Sequence, residues 1–420
     1  MMNITESFDK ESVIAQAKKV KKKSSSGIDG VSAKEAVSVA NNEHKSMIEE
    51  ILNGYYQPMP IIKVEIPKAD GRMRTIGSAS VRDRIIQGCI AEYLNKQLDE
   101  KMSKTSFGFR TDKNCHMAIK KMIETVEAGY GWIISLDLQE CFNHIDHDRI
   151  LWLLRQNGIN NNIIKDINNI INNHYICKSQ LQQVQGCPQG SNVSPIICNL
   201  VLNELDMRLE EQGHPFIRYA DDIYIFCKSE RAAVRIKESV VGFITKNLKL
   251  MVNEEKTRII DTKNNSWCCL GFILSYENDE IHIRVDSNKV YKARNKIKNI
   301  IGNESENVVT RINEITRGWI NYYGIAEISM TMKNLDAFIK RELNKAERCK
   351  RIAIDRKALV CCHDYYRKMG HQLQVKNNNM PEKDGRHENT ENQENSENQQ
   401  QKDTAVSLLV RAPPISGTNK

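Results

Sequence analysis

The 420-residue sequence reads as an α+β body with a helical C-terminal module and a disordered polar tail. Three observations carry that reading. Up to about residue 280, segments with the two-residue alternation of strands take turns with segments of helical spacing. After Lys289 the pattern is helical to about residue 368. From residue 371 the composition changes: the stretch 387–402, HENTENQENSENQQQK, holds four Glu, four Asn and four Gln. No aliphatic or aromatic residue interrupts it, so nothing offsets the entropy of ordering the backbone.

The elements follow in order. Residues 5–23 have a helical pattern that ends in the basic run KKVKKK. GIDGVS (27–32) is turn chemistry leading to a helix start at Ser32. IIKVEIP (61–67) alternates like a strand, and Asp70-Gly71 reads as a hairpin turn into MRTIG. Residues 81–100 are helical. WIISLDL (132–138) is a short apolar run of the kind a buried strand shows. Residues 193–211 form a helix with Val193, Ile197, Leu200 and Leu205 on its apolar side. FIRYADDIYIF (216–226) reads as two short strands around an Asp-Asp turn.

Composition narrows the function classes. The chain carries 61 Lys and Arg against 53 Asp and Glu, a net charge of +8. Residues 281–370 hold 19 of those cations against 10 acids, residues 371–420 hold 6 against 7, and the body before them is neutral. A neutral body with a basic appendage suits a polyanion partner, although a solvated Lys-rich face gives the same count. No run of 18 apolar residues exists, so no transmembrane helix is expected. The N-terminus MMNITESFDKES lacks a signal-peptide pattern, and the 12 cysteines sit scattered in apolar runs rather than in a disulfide framework. A reducing, cytoplasmic setting follows as the expectation. Cys361, Cys362 and His363 lack the C-x2-C partner pair that a zinc site requires.

The most informative segment is Arg218-Tyr219-Ala220-Asp221-Asp222. Two adjacent acids interrupt β-branched and aromatic residues, which a strand interior disfavours unless a hard divalent cation compensates. An ordinary Asp-Asp hairpin turn is the competing explanation. Asp137, closing the apolar run WIISL, is a second acid in matching surroundings. Two strands that each carry an acid can present them at one sheet edge, the arrangement of a two-metal phosphoryl-transfer site.

At this point the sequence resembles a known family. YADD (219–222), SLDLQECF (135–142) and GCPQGSNVSPIICNLVLNELD (186–206) resemble motifs C, A and B of reverse transcriptases of the group II intron branch. FGFR (107–110), IPKADGRMRTIGSASVRDRIIQ (66–87) and GIDGVS resemble its motif 2, motif 1 and N-terminal extension. LMVNEEKTRI (250–259) and CLGF (269–272) resemble motifs D and E, and RGWINYYGIA (317–326) resembles the maturase, or X, domain that serves as the thumb. The motifs stand in the family's order from about residue 12 to 345.

The resemblance implies a right-hand polymerase: an N-terminal extension over 1–59, fingers and palm over 60–275, a helical thumb/X module over 280–370, and the tail 371–420. It implies RNA-directed DNA synthesis, with dNTPs added to a DNA primer 3′-hydroxyl on an RNA template, either intron RNA or a structured non-coding RNA. The implied cofactor is a pair of Mg²⁺ ions, with Mn²⁺ able to substitute. Asp137 and Asp221 would ligate both, assisted by the Leu138 carbonyl, with Asp222 as the second acid of the pair. Phe142 would lie under the incoming sugar and exclude a 2′-hydroxyl. Lys68 and Arg74, on the two arms of the hairpin, would grip the triphosphate, and Arg110 would support the phosphates or the template. Gln189 would line the nucleotide pocket, and Lys256 would protonate the departing pyrophosphate. Taken singly, Lys68, Arg74 and Lys256 also read as surface cations, and Phe142 as a core aromatic.

Two motifs depart from the branch: PQGSN lacks its second Gly, and GSAS replaces Gly-Ile-Pro. After the basic helix an acidic Asn/Gln-rich tail follows, with no His/Cys nuclease pattern. An intron-encoded enzyme that assists splicing fits, as does a free-standing relative in anti-phage defence or DNA repair. A third alternative, an RNA-binding splicing factor with an idle polymerase, conflicts with the intact Asp137, Asp221, Asp222 and Phe142.

Overall fold

The computed structural model describes residues 7–67, 73–177, 180–303, 307–348 and 358–369. The tail from 371, the Asp70-Gly71 turn and Lys68 lie outside the described residues. The chain divides into two compact units, Met1–Asp261 and Thr262–Lys420.

The first unit opens with α1 (Lys10–Lys19), which starts later than the periodicity suggests because Asp9 caps it. The Asp9 carboxylate accepts the Ser12 N–H at 2.7 Å, and the Ser12 hydroxyl accepts the Asp9 N–H at 3.0 Å, a reciprocal capping box. The lysines 21–23 fall beyond its end. Ser32 opens a single 3₁₀ turn before α2 (Ala36–Asn53). β1 (Ile61–Pro67) and β2 (Met73–Ser78) pair antiparallel, the last pair being Pro67↔Met73, so the two expected strands do form one antiparallel pair. α3 (Val81–Leu98) is buried all round through its middle, Ile85–Ala91, exposes Lys96 near its end, and is capped by Ser80. α4 (Cys115–Glu127) leads into β3 (Trp132–Asp137). A short turn of helix, α5 (Cys141–His144), precedes α6 (His147–Gln156) and α7 (Asn161–Ile171). β4 (His174–Cys177) and β5 (Gln180–Gln183) extend the first sheet to the order β2-β1-β4-β5.

The second sheet positions the chemistry. α8 (Ser194–Glu211) is followed by β6 (Phe216–Tyr219), β7 (Asp222–Cys227), α9 (Glu230–Lys246) and β8 (Arg258–Asp261). The strand order is β6-β7-β3-β8, antiparallel throughout. α9 packs against β3, β7 and β8. Every β7 residue after Asp222 is buried, so IYIFC reads as a continuous apolar run rather than an alternation. One core joins Ile134, Leu136, Ile223 and Ile225 of the strands to Leu200, Leu202 and Leu205 of α8.

In the second unit β9 (Trp267–Cys269), β10 (Phe272–Glu277) and β11 (Glu280–Val285) form a separate antiparallel sheet. These three strands pair only with one another, and the compact units part just before them, at 261/262. α10 (Ser287–Asn303), α11 (Val308–Tyr323) and α12 (Ser329–Arg348) supply the expected helices. Phe272 stacks on Tyr322 at 5.6 Å and meets the Tyr323 edge at 5.3 Å. Cys361 and the backbone N–H groups of Cys362 and His363 all donate to Asp336. That trio is a hydrogen-bonded cap, and among the described residues no His/Cys/Asp/Glu group is closed into a metal cage. The described cysteines are all free thiols. No described helix is long and apolar enough to cross a membrane.

Candidate active site

The register of β3 and β7 sets Asp137 directly opposite Asp222. Asp221 follows Ala220 in the turn from β6 to β7, and Tyr219 pairs with Asp222. Three acids thus gather at one sheet edge, as the two-strand argument requires. Burial, then the charges of Asp221 and Asp137, push the Asp222 carboxyl up to about 7, and Lys256 opposes them. Asp222, crowded by like charge, fits hard divalent cations, which stabilise its charged form. The three acids do not preassemble a closed cage. Mg²⁺ sites of this kind take one or two carboxylates and complete their shell with water and substrate phosphate.

Lys256 reaches this edge through a stitched loop. The Asp137 carbonyl accepts the Asn253 N–H at 2.8 Å, the Met251 carbonyl accepts the Gln139 N–H at 2.8 Å, and Leu138 bridges Val252. Asn253 in turn accepts the Lys256 N–H at 3.3 Å. The Lys256 ammonium lies 3.7 Å from Asp137 Oδ2 with its side chain half exposed. Leu138 is itself buried.

Phe142, on α5, is half-buried and packs against the core. Its carbonyl accepts the Cys187 N–H at 2.7 Å. Gly186 adopts φ +61°, and a Cβ there would stand 2.1 Å from the Phe142 carbonyl, so only glycine fits. His147 Nε2 donates to the Gly186 carbonyl at 2.7 Å. Gln189 is pinned by its backbone: its carbonyl accepts the Gly77 N–H at 2.7 Å, and its N–H donates to the Tyr175 hydroxyl at 3.2 Å.

Both departures from the branch pattern are satisfied locally. Ser191, in place of the second Gly, donates to Gln87 at 2.7 Å. Ser78, within GSAS, accepts from Arg84 at 2.9 Å and donates to the Ser26 carbonyl at 3.1 Å.

Arg110 requires a correction. It was expected at the phosphates or the template, yet its guanidinium is buried and donates to the Asp99 carboxylate and to the carbonyls of Asp99 and Ser103. All its reach is spent inside the protein. Arg74 pairs in β2 with Ile66, and its side chain, like Lys68, lies outside the described residues. Sequence reasoning missed Tyr175, His147 and the Arg218–Asp206 pair. Asp206 could have been found, since an acid on the apolar side of NLVLNELD needs a buried partner.

Three acids at one edge of an antiparallel sheet, with Lys256 beside Asp137, are the arrangement of a nucleic-acid polymerase palm. Residues 66–274 match the family model "Reverse transcriptase (RNA-dependent DNA polymerase)", and residues 290–357 match "Group II intron, maturase-specific domain". Protein YkfC of Escherichia coli is 27% identical over 56% of this chain and 71% of its own length. The group II intron-encoded protein LtrA of Lactococcus lactis is 26% identical over 51% of this chain and 35% of its own. The retron Ec86 reverse transcriptase of Escherichia coli is 25% identical over 68% and 84%. The chain spans about a third of the length of the intron-encoded relative. It belongs to the group II-type reverse transcriptase/maturase family.

Proposed function

We propose that the chain adds deoxynucleotides to a DNA primer 3′-hydroxyl by copying RNA, and that Asp137, Asp221 and Asp222 hold the divalent cations of that reaction. The observation that carries this reading is the Asp137↔Asp222 register beside Asp221. When bound, two such cations lower the pKa of the attacking hydroxyl and neutralise the leaving pyrophosphate. The chain's own residues do the rest. Phe142, held by Cys187 and Gly186, presents an aromatic wall to the sugar and leaves no room for a 2′-oxygen. Gln189, pinned between β2 and β4, borders the nucleotide. Lys256, already beside Asp137, is placed to deliver a proton to the departing phosphate oxygen. The family resemblance assigns Lys68 and Arg74 to the triphosphate. The basic module, through its maturase-specific domain, grips a structured RNA, and assistance to intron splicing is the biological role this favours.

The test is primer extension by the purified chain on an RNA template with dNTPs and Mg²⁺. Wild-type protein extends the primer. Asp137→Asn and Asp221→Asn lose extension by about a thousandfold or more while remaining folded, because a ligand charge is removed where charge develops. Equal extension by either variant sinks the assignment.

A further inference from the structure

We propose that the buried Arg218–Asp206 ion pair is a positioning device for the acidic turn, fixing the peptide that aims Asp221 and Asp222 at the cations. The inference rests on the polymerase reading above. Both side chains are fully buried. Arg218 Nε donates to Asp206 Oδ1 at 2.8 Å, and its Nη2 to Oδ2 at 2.6 Å, a fork-on-fork pair. The third corner of the guanidinium, Nη1, donates to the Ala220 carbonyl at 3.0 Å and to Asn199 Oδ1 at 2.7 Å.

Ala220 is the reason a brace is needed. It holds φ +58°, a left-handed conformation that an alanine disfavours, immediately before Asp221. Its carbonyl belongs to the same peptide plane as the Asp221 N–H. Fixing that carbonyl on Arg218 therefore fixes the plane from which Asp221 projects. A lysine could pair with Asp206, but a single ammonium cannot reproduce the planar three-cornered reach.

The same residues tie a second loop to the turn. Asn199 Nδ2 donates to the Gly108 carbonyl at 2.8 Å. The Arg218 N–H donates to the Thr105 carbonyl at 3.0 Å, and its own carbonyl accepts the Phe107 N–H at 2.8 Å. A Cβ on Gly108 would stand 2.3 Å from the Ala220 nitrogen, so the FGFR loop lies flush against the turn. Arg110 then clamps the far side of that loop onto Asp99. The helix α8, the loop and the turn are locked through one guanidinium.

Two variants test this. Arg218→Met/Asp206→Leu removes both charges but keeps buried volume, a replacement that folded proteins tolerate. Arg218→Lys keeps the pair and removes the fork. Mn²⁺ affinity, read by electron paramagnetic resonance as the signal that Asp221→Asn abolishes, should weaken about fivefold or more in each. The single-nucleotide kcat should fall on the order of tenfold to a hundredfold, with the dNTP KM nearly unchanged. A folded variant with native Mn²⁺ affinity and native kcat overturns the proposal. So does failure of both variants to fold, which makes the pair a fold element only. If wild-type protein binds Mn²⁺ but never extends a primer, the polymerase reading fails while the affinities still judge the brace.

Discussion

Phe142 is a half-buried aromatic packed on the core, with its backbone carbonyl held by the Cys187 N–H. Phe142→Ala should keep dNTP incorporation and lower discrimination against rNTPs on the order of tenfold to a hundredfold. Competition between the two nucleotides on one primed template measures it, and unchanged rejection would reduce Phe142 to a packing residue. Asp166 is a different kind of residue. It is fully buried, accepts the Tyr56 N–H at 3.1 Å through Oδ1, and has no partner at Oδ2. Burial, with Tyr56 opposing and the Glu50 charge adding, pushes its carboxyl up to about 8. Its folded pKa lies above its unfolded one, so its contribution to stability is present below about pH 4 and lost as pH rises through about 8. Asp166→Asn should therefore flatten the fall in melting temperature between about pH 4 and 8. Parallel curves for the two proteins would show that this carboxyl does not titrate on folding. Arg110 and Arg218 mark the limit of residue-level reading. Their sequence neighbours are chemical motifs, but a cation beside a motif can serve the phosphate or the scaffold, and only burial decides.

At the scale of elements, the strands and long helices were legible because one period dominated each. WIISLD, IIKVEIP and the 81–100 helix appear within two residues of their expected bounds. The 5–23 helix shrank to Lys10–Lys19 because a cap overrides periodicity at helix ends. The separate β9–β11 sheet was not legible, since strand pairing is a long-range choice that local spacing does not encode. The acidic edge was legible because Asp in apolar strands is rare; its brace was not, because Arg218 and Asp206 are 12 residues apart. The motif-B segment shows how elements meet at the site. Gly186→Ala adds a left-handed alanine at about 1 kcal/mol, and the 2.1 Å contact with the Phe142 carbonyl forces backbone movement as well. Movement of α5 should lower kcat/KM for dNTP about tenfold or more and loosen sugar discrimination together, since both depend on the same ring. A variant that loses stability yet keeps its discrimination ratio would disconnect Gly186 from Phe142.

Across the whole molecule, the cationic excess is concentrated in residues 281–370, and the structure sorts those cations into working and packing groups. Arg294 lies over the Phe338 ring at 5.7 Å, so part of α10's charge is committed to packing. On α12, Lys340, Arg341, Lys345 and Arg348 line one shallow groove with Ala337 and Asn344, at the three- and four-residue spacing of a single helical face. Glu342 accepts from Lys345 at 3.0 Å and from Arg341 at 3.3 Å, which holds their heads along that face. A stripe of this kind matches a phosphate backbone in sign, and every phosphate it neutralises releases counterions. Replacing Lys340, Lys345 and Arg348 together with Gln should weaken binding of unrelated structured RNAs alike. The plot of log affinity against log salt should flatten by about two units, near 0.7–0.9 for each lost contact. Single-nucleotide addition at saturating template should hold, because the three acids and Phe142 belong to the first unit. Filter binding of two unrelated RNAs across a salt series reads both effects. If the slope is that of wild type while only the melting temperature moves, the α12 stripe is a solvated face. The RNA grip then passes to the first unit, where Lys18 and Lys19 close α1 and the basic run continues through Lys23.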